Sequence, residues 1–310
     1  MTALLDHRFL FVVGKGGVGK TTVAATLGLA AAARGKRVLI AMTNAKERLS
    51  TLLGVPPIGS EIANVAPGLD AVNMTPEAAI EEYGMMILKV RALYSALFEN
   101  RLVRAFLRGT PGIESWAMLG KAYFHAVGHG PDGVGEYDLV LLDAPATGHG
   151  LDMLRVPSII VDVAPPGLLR REAERALSLF QDRTRAGAVL VALPEEMPAN
   201  ETIELHASLE ELRIRTQALI VNQMLPLLID EQALGELEAI LPPEGLETLV
   251  EAGRVRGKRE RVQRTSLRIL SSIDAPRHDL PHLFDAEFAR GQIDQLDAAL
   301  RASLEPRPPA

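Results

Sequence analysis

The chain has 310 residues, 47% hydrophobic and 23% charged, enough for one large α/β domain with a substantial core. Its net charge of −6 gives no overall pull toward nucleic acid or anionic lipid, and neither is expected as a partner. With no cysteine in the chain, disulfides, thiolate zinc sites, iron–sulfur ligation and a cysteine nucleophile are all excluded.

In chain order, residues 1–14 carry Asp6 and run straight into a strand-like segment, without the basic flank and small-residue cleavage site of a signal peptide. No apolar stretch approaches the about 18 to 20 residues that cross a bilayer, so stable membrane insertion is not expected and the location is read as cytoplasmic. Residues 9–13 are a continuous apolar run, which predicts a parallel strand covered on both faces. An alanine-rich helix follows over 21–34, ended by Gly35, then a second buried strand over 37–41. From about Thr75 the texture turns helical: an amphipathic stretch over 76–107, a break at Gly109-Thr110-Pro111-Gly112, and a second helix from Ile113 to about Val127. Further buried strands are expected over 138–142, 188–192 and 218–221, with helices over 168–179 and 200–212 between them. Strands separated by helices predict an α/β fold, a doubly wound, mostly parallel sheet. The chain is expected to form a single domain over 1–310, with an inserted helical subdomain over 75–130 and a disordered tail over 305–310.

The run Gly14-Lys15-Gly16-Gly17-Val18-Gly19-Lys20-Thr21-Thr22 fits G-x-x-x-x-G-K-[ST] and lies between a predicted strand and a predicted helix, as a phosphate-binding P-loop must. Glycines let the backbone wrap closely, so that N–H groups and the helix N-terminus face the phosphates. Lys20 would then neutralise the β- and γ-phosphates, and the Thr21 hydroxyl would ligate Mg²⁺. Gly14, Gly16 and Gly19 also satisfy the dinucleotide fingerprint G-x-G-x-x-G. That reading wants an acid at the end of the second strand, where this chain has Met42-Thr43-Asn44, and it leaves Lys20 and Thr21 unexplained.

Lys15, directly after the first glycine, makes the loop resemble the deviant Walker A motif of the ParA/MinD, nitrogenase iron protein and arsenite-pump (ArsA) group. In that group the extra lysine reaches the nucleotide of a facing subunit, so the resemblance implies a dimer, with Lys15, Lys20 and Asp143 as the catalytic set. The segment Asp143-Ala144-Pro145-Ala146-Thr147-Gly148-His149, with Leu151 and Pro157 after it, resembles switch II of ArsA and of the related tail-anchored-protein targeting ATPases. Residues 193–202 resemble another segment of that family, and Val221-Asn222-Gln223 its adenine-recognition strand end, which implies that Asn222 reads the base. The likeness spans nearly the whole chain. It implies ATP with Mg²⁺ as cofactor, the nucleotide held by Gly14, Gly16, Gly17, Val18, Gly19, Lys20, Thr21, Thr22 and Asn222, and the metal by Thr21 and Asp143. Asp143 also follows the apolar run Leu139-Val140-Leu141-Leu142, so its carboxylate would emerge at the carboxyl edge of the sheet beside the phosphates.

The pattern breaks at switch I. The family has D-P-A-H or D-P-A-K after the second strand, its aspartate directed at the attacking water, whereas this chain reads Thr43-Asn44-Ala45-Lys46. A threonine hydroxyl cannot serve as a base near neutral pH, and Glu47 is the nearest carboxylate in sequence. Two expectations follow: an ATPase whose ATP-dependent dimer opens and closes on a client or partner protein, or a hydrolysis-impaired subunit of a heterodimer with a paralogous ATPase. The lack of cysteine removes a thiolate arsenite site and an interfacial C-x-x-C zinc.

Weaker signals remain. Met74, Met85, Met86, Leu93, Leu97, Leu102 and Phe106 in the insert suit either a client-binding surface or simple packing. His125 and His129, four apart, are too few for a metal site without a third ligand. Arg254, Arg256, Lys258, Arg259, Arg261 and Arg264, interrupted by Glu260, read as the solvated face of a long helix. A final amphipathic helix is expected over 286–304, without the cationic face that a membrane anchor wants.

Overall fold

A computed structural model describes residues 3–43, 46–88, 112–128, 135–145, 147–228, 247–285 and 287–305. Eight strands form one sheet: β1 (Phe9–Gly14), β2 (Val38–Thr43), β3 (Ala63–Ala66), β4 (Leu69–Met74), β5 (Leu139–Asp143), β6 (Ala186–Ala192), β7 (Thr216–Met224) and β8 (Arg277–Pro281). Their order is β3-β4-β2-β5-β1-β6-β7-β8. Every pair is parallel except β3 with β4, which is antiparallel at the sheet edge. The sheet is thus the doubly wound one that the alternation of strands and helices predicts. β3, β4 and β8 have no counterpart among the expected strands.

The described helices are α1 (Lys20–Ala32), α2 (Leu49–Leu53), α3 (Pro76–Leu88), α4 (Ile113–Val127), α5 (Thr147–Val163), α6 (Leu168–Phe180), α7 (Glu196–Glu211), α8 (Glu247–Leu270) and α9 (Arg290–Leu304). The period of two along the strands divides the core into two layers. Phe9, Phe11 and Val13 of β1 join Trp116, Tyr123, Leu154 and Phe180 from α4, α5 and α6 on one face. Leu10 and Val12 join Val23, Leu27, Leu49, Ile293 and Leu296 from α1, α2 and α9 on the other. Phe9, Phe11 and Phe180 form an aromatic triangle with centroids 4.8 to 5.1 Å apart.

β1 is buried along its whole length between β5 and β6, which explains its unbroken apolar run. α1 is apolar on nearly every side because it lies between the sheet and α9. α3 and α4 pack together through Tyr83 and Trp116, edge-on at 5.9 Å, and through the buried Lys121, whose ammonium meets Glu82 at 2.5 Å. Of the stretch expected to be helical over 76–107, Pro76–Leu88 is described, and Leu93, Leu97, Leu102 and Phe106 lie outside the described residues, as do His129 and the tail beyond Glu305. α7 begins at Glu196, ahead of the expected 200, because Pro198 falls in the first turn, where a missing N–H costs the helix nothing. α9 begins at Arg290 rather than at 286.

Candidate functional site

The carboxyl ends of β1, β5, β6 and β7 meet at one place on the sheet edge, the position at which doubly wound folds bind ligands. β1 runs into the phosphate loop, and α1 starts at Lys20 directly after it. Two glycines have no substitute there. A Cβ on Gly14 would lie 2.4 Å from the Val191 carbonyl oxygen of β6, so the loop hugs the neighbouring strand. Gly19 has φ +92°, and a Cβ on it would meet the Asn222 amide nitrogen at 2.4 Å. No side chain caps α1, and its first helical bond runs from Val23 N–H to the Gly19 carbonyl, so the amides of its first turn face the loop.

Polar groups of the loop pair with one another and with Asp143. The Lys20 ammonium donates to the carbonyls of Gly14 (3.1 Å) and Lys15 (3.0 Å). Burial pushes its pKa down, and the Asp143 carboxylate opposes that shift. The Thr21 hydroxyl donates to Asp143 Oδ2 at 2.6 Å. Asp143 ends β5, pairs in register with Val12 and Met42, and is 4% exposed. Burial raises its carboxyl to about 6, against the Thr21 hydrogen bond and the Lys20 charge. A buried carboxylate that accepts from a threonine hydroxyl, beside an uncapped helix start, fits the donor set of a hard divalent cation. Thr21 and Asp143 would hold Mg²⁺, with the glycine-lined loop holding the phosphates.

Asn222, on β7, is 4% exposed. Its Nδ2 donates to the Val18 carbonyl (3.0 Å) and its Oδ1 accepts from Gln223 N–H (3.0 Å). Lys15 turns back within its own chain and ion-pairs with Glu201 of α7. Glu201 lies in the family-like segment over 193–202, and no local pattern encodes its pairing, because 186 residues separate the two. Gly16, Gly17, Val18 and Thr22 complete the loop, Gly17 with φ +86°.

Around switch I, Thr43 is 5% exposed and its hydroxyl donates to the Asp143 carbonyl at 3.2 Å. Glu47 spends both carboxylate oxygens on Ser50, from its N–H (2.7 Å) and its hydroxyl (2.6 Å). Asn44 and Ala45 lie outside the described residues, as does Ala146 in switch II. The side chain of His125 meets Glu136 at 3.3 Å, and no group of three or more metal-ligating side chains occurs among the described residues.

A strand, a glycine loop with its lysine, and a Thr–Asp pair at the end of the adjacent strand define a P-loop nucleotide-binding protein. A family model described as "Anion-transporting ATPase" (ArsA_ATPase) matches residues 7–164 and 169–239. The chain is 28% identical to the ATPase BagA of Mycobacterium tuberculosis over 305 residues, covering 90% of this chain and 88% of that one. It is 30% identical to a putative arsenical pump-driving ATPase of Halobacterium salinarum over 266 residues, covering 79% of this chain and 40% of the relative. With the arsenical pump-driving ATPase of Escherichia coli it shares 26% over 234 residues, covering 70% and 40% respectively. The chain belongs to the ArsA ATPase family and is an ATPase of that family. No helix among the described residues is long and apolar enough to cross a membrane.

Proposed function

We propose that the chain binds ATP with Mg²⁺ at this loop, assembles with a second ATPase chain across the nucleotide, and uses the cycle of closing and opening to handle a client or partner protein in the cytoplasm. The observation that carries the nucleotide step is the Thr21–Asp143 hydrogen bond beside the Lys20 ammonium at the carboxyl edge of the sheet. On binding, Lys20 leaves the loop carbonyls for the β- and γ-phosphates, the first-turn amides of α1 take the remaining oxygens, and Asn222 meets the base. Mg²⁺, when bound between Thr21 and Asp143, offsets phosphate charge. Lys15 leaves Glu201 and reaches the nucleotide of the facing chain. Asp143 and the start of α5 respond to the γ-phosphate, and α3 and α4 move with them and carry the client surface.

Light scattering on the purified chain tests the assembly step. Mass doubling with Mg·ATP analogue but not with ADP is the expected result, and a single-chain mass with every nucleotide overturns it. A second reading is favoured by one observation: among the described residues of the β2 exit, the Thr43 hydroxyl is engaged by the Asp143 carbonyl and the Glu47 carboxylate by Ser50. On that reading, the chain binds ATP to join a paralogous ATPase that carries most of the turnover. Pull-down with ATP, followed by identification of the retained chain, separates the two.

A further inference from the structure

The inward face of α8 is polar through its middle turns, before Leu267 and Leu270 return it to the hydrophobic core. Glu260, Gln263 and Ser266, spaced three apart, are 0%, 2% and 1% exposed. Two of them grip the chain just beyond β7. The Gln263 side chain accepts from Leu225 N–H and donates to Leu225 C=O, both at 2.9 Å, and so mimics the pairing of a further strand. Glu260 accepts from Leu228 N–H (3.0 Å) and from Arg256 (2.7 Å), with Arg264 at 3.7 Å. The carboxylate that breaks the basic run is therefore the buried anchor of its two inward arginines.

What this grip holds is a kinked strand end. β7 loses register with β8 between Val221 and Met224, and Gln223 has φ +59°, a left-handed conformation unusual for a residue with a side chain. The kink turns Gln223 N–H onto Asn222 Oδ1 while Asn222 Nδ2 reaches Val18 in the phosphate loop. Beyond the kink the backbone is fixed twice, by His282 N–H to the Met224 carbonyl (2.9 Å) and by Gln263 to Leu225. A cavity of about 600 Å³ opens beside it, lined in part by Gln223, Leu225, Gln263 and His282, roomy enough for a nucleoside.

We propose that Gln263, supported by Glu260, is a positioning residue for Asn222 and so sets how sharply the site discriminates among nucleotide bases. The inference rests on the reading of Asn222 as the residue that meets the base. Asn222 keeps one further donor and one further acceptor position beyond its present bonds, and their direction is set by the kink. Loosening Leu225 lets Gln223 relax toward ordinary strand geometry and swings the amide.

The test is competitive binding of Mg·ATP, Mg·GTP and Mg·CTP to the full chain, with Asn222→Ala and Gln263→Leu compared with the unaltered protein. Preference for ATP that is lost in Asn222→Ala and reduced about tenfold in Gln263→Leu supports the inference, since tenfold corresponds to one or two hydrogen bonds. Preference lost in Asn222→Ala and intact in Gln263→Leu overturns it while sparing the base reading. Preference unchanged in Asn222→Ala, or absent from the unaltered protein, overturns both. If Gln263→Leu does not fold, Gln263→Met decides on the same readout, because it keeps the length and volume of the side chain and removes both bonds to Leu225. A reduced preference there supports the inference and an unchanged one overturns it.

Discussion

Asp143 is buried at the end of β5, with the Thr21 hydroxyl bonded to its carboxylate. Its carboxyl stands at about 6, against 3.8 for an ordinary aspartate, because β5 buries it. The folded chain therefore holds this proton more tightly than the unfolded chain does. The stability it retains below about pH 4 is lost as pH rises through about 6, by at most about 3 kcal/mol. Asp143→Asn, which keeps an acceptor for Thr21, should raise the melting temperature of the nucleotide-free chain at pH 8 and leave it unchanged at pH 4. The same variant should lose the Mg²⁺-dependent part of ATP affinity. Thermal melts at the two pH values check the first claim, and no gain at pH 8 would contradict it. Thr43 is the opposite case: its hydroxyl is engaged by the Asp143 carbonyl, which is a structural use. Thr43→Val should cost about 1 kcal/mol in denaturant unfolding and leave steady-state hydrolysis within a factor of two. The loop residues, Asp143 and Asn222 were legible in the sequence because each sits in a fixed motif at a strand end. Glu201, Glu260 and Gln263 were not, because their roles come from contacts across 186, 32 and 38 residues that no local pattern encodes.

At the scale of elements, the phosphate loop is held by what surrounds it as much as by its own glycines. A methyl group on Gly19 meets both an unfavourable φ of +92° and the Asn222 amide at 2.4 Å. Gly19→Ala should therefore weaken ATP binding at least about tenfold and destabilise the chain by about 1 to 3 kcal/mol. Isothermal titration together with urea unfolding checks both, and unaltered affinity would show that the loop has slack. The buried parallel strands were legible as apolar runs, β1 above all, because both their faces are covered. β4 and β8 escaped notice for a related reason. β4 interrupts its buried residues with the partly exposed Asp70 and Asn73, and β8 is a short edge strand that ends in Pro281 and exposes alternate side chains. α8 was legible as a long helix, but the polar character of its inward face was not, since Glu260 looked like an interruption in a solvated run. Its outward residues Arg254, Lys258, Arg259 and Arg261 are exposed as expected.

For the molecule as a whole, side chains of the loop are engaged within the chain: Lys20 on loop carbonyls, Thr21 on Asp143, and Lys15 on Glu201. Under the proposed function, nucleotide replaces the first two contacts, and a facing chain the third. Lys15→Ala should therefore leave ATP affinity of the single chain within about threefold of the unaltered protein, under 1 kcal/mol, while abolishing ATP-dependent assembly in light scattering. Assembly that survives Lys15→Ala would remove that lysine from the interface. The measurement that bears most directly on the whole account is steady-state ATP hydrolysis by the purified chain alone, over a range of chain concentrations, with Lys20→Ala as the blank. The account predicts turnover above the blank, with a rate per chain that climbs as concentration rises and chains pair. Tight ATP binding with turnover no better than the blank at every concentration would contradict it.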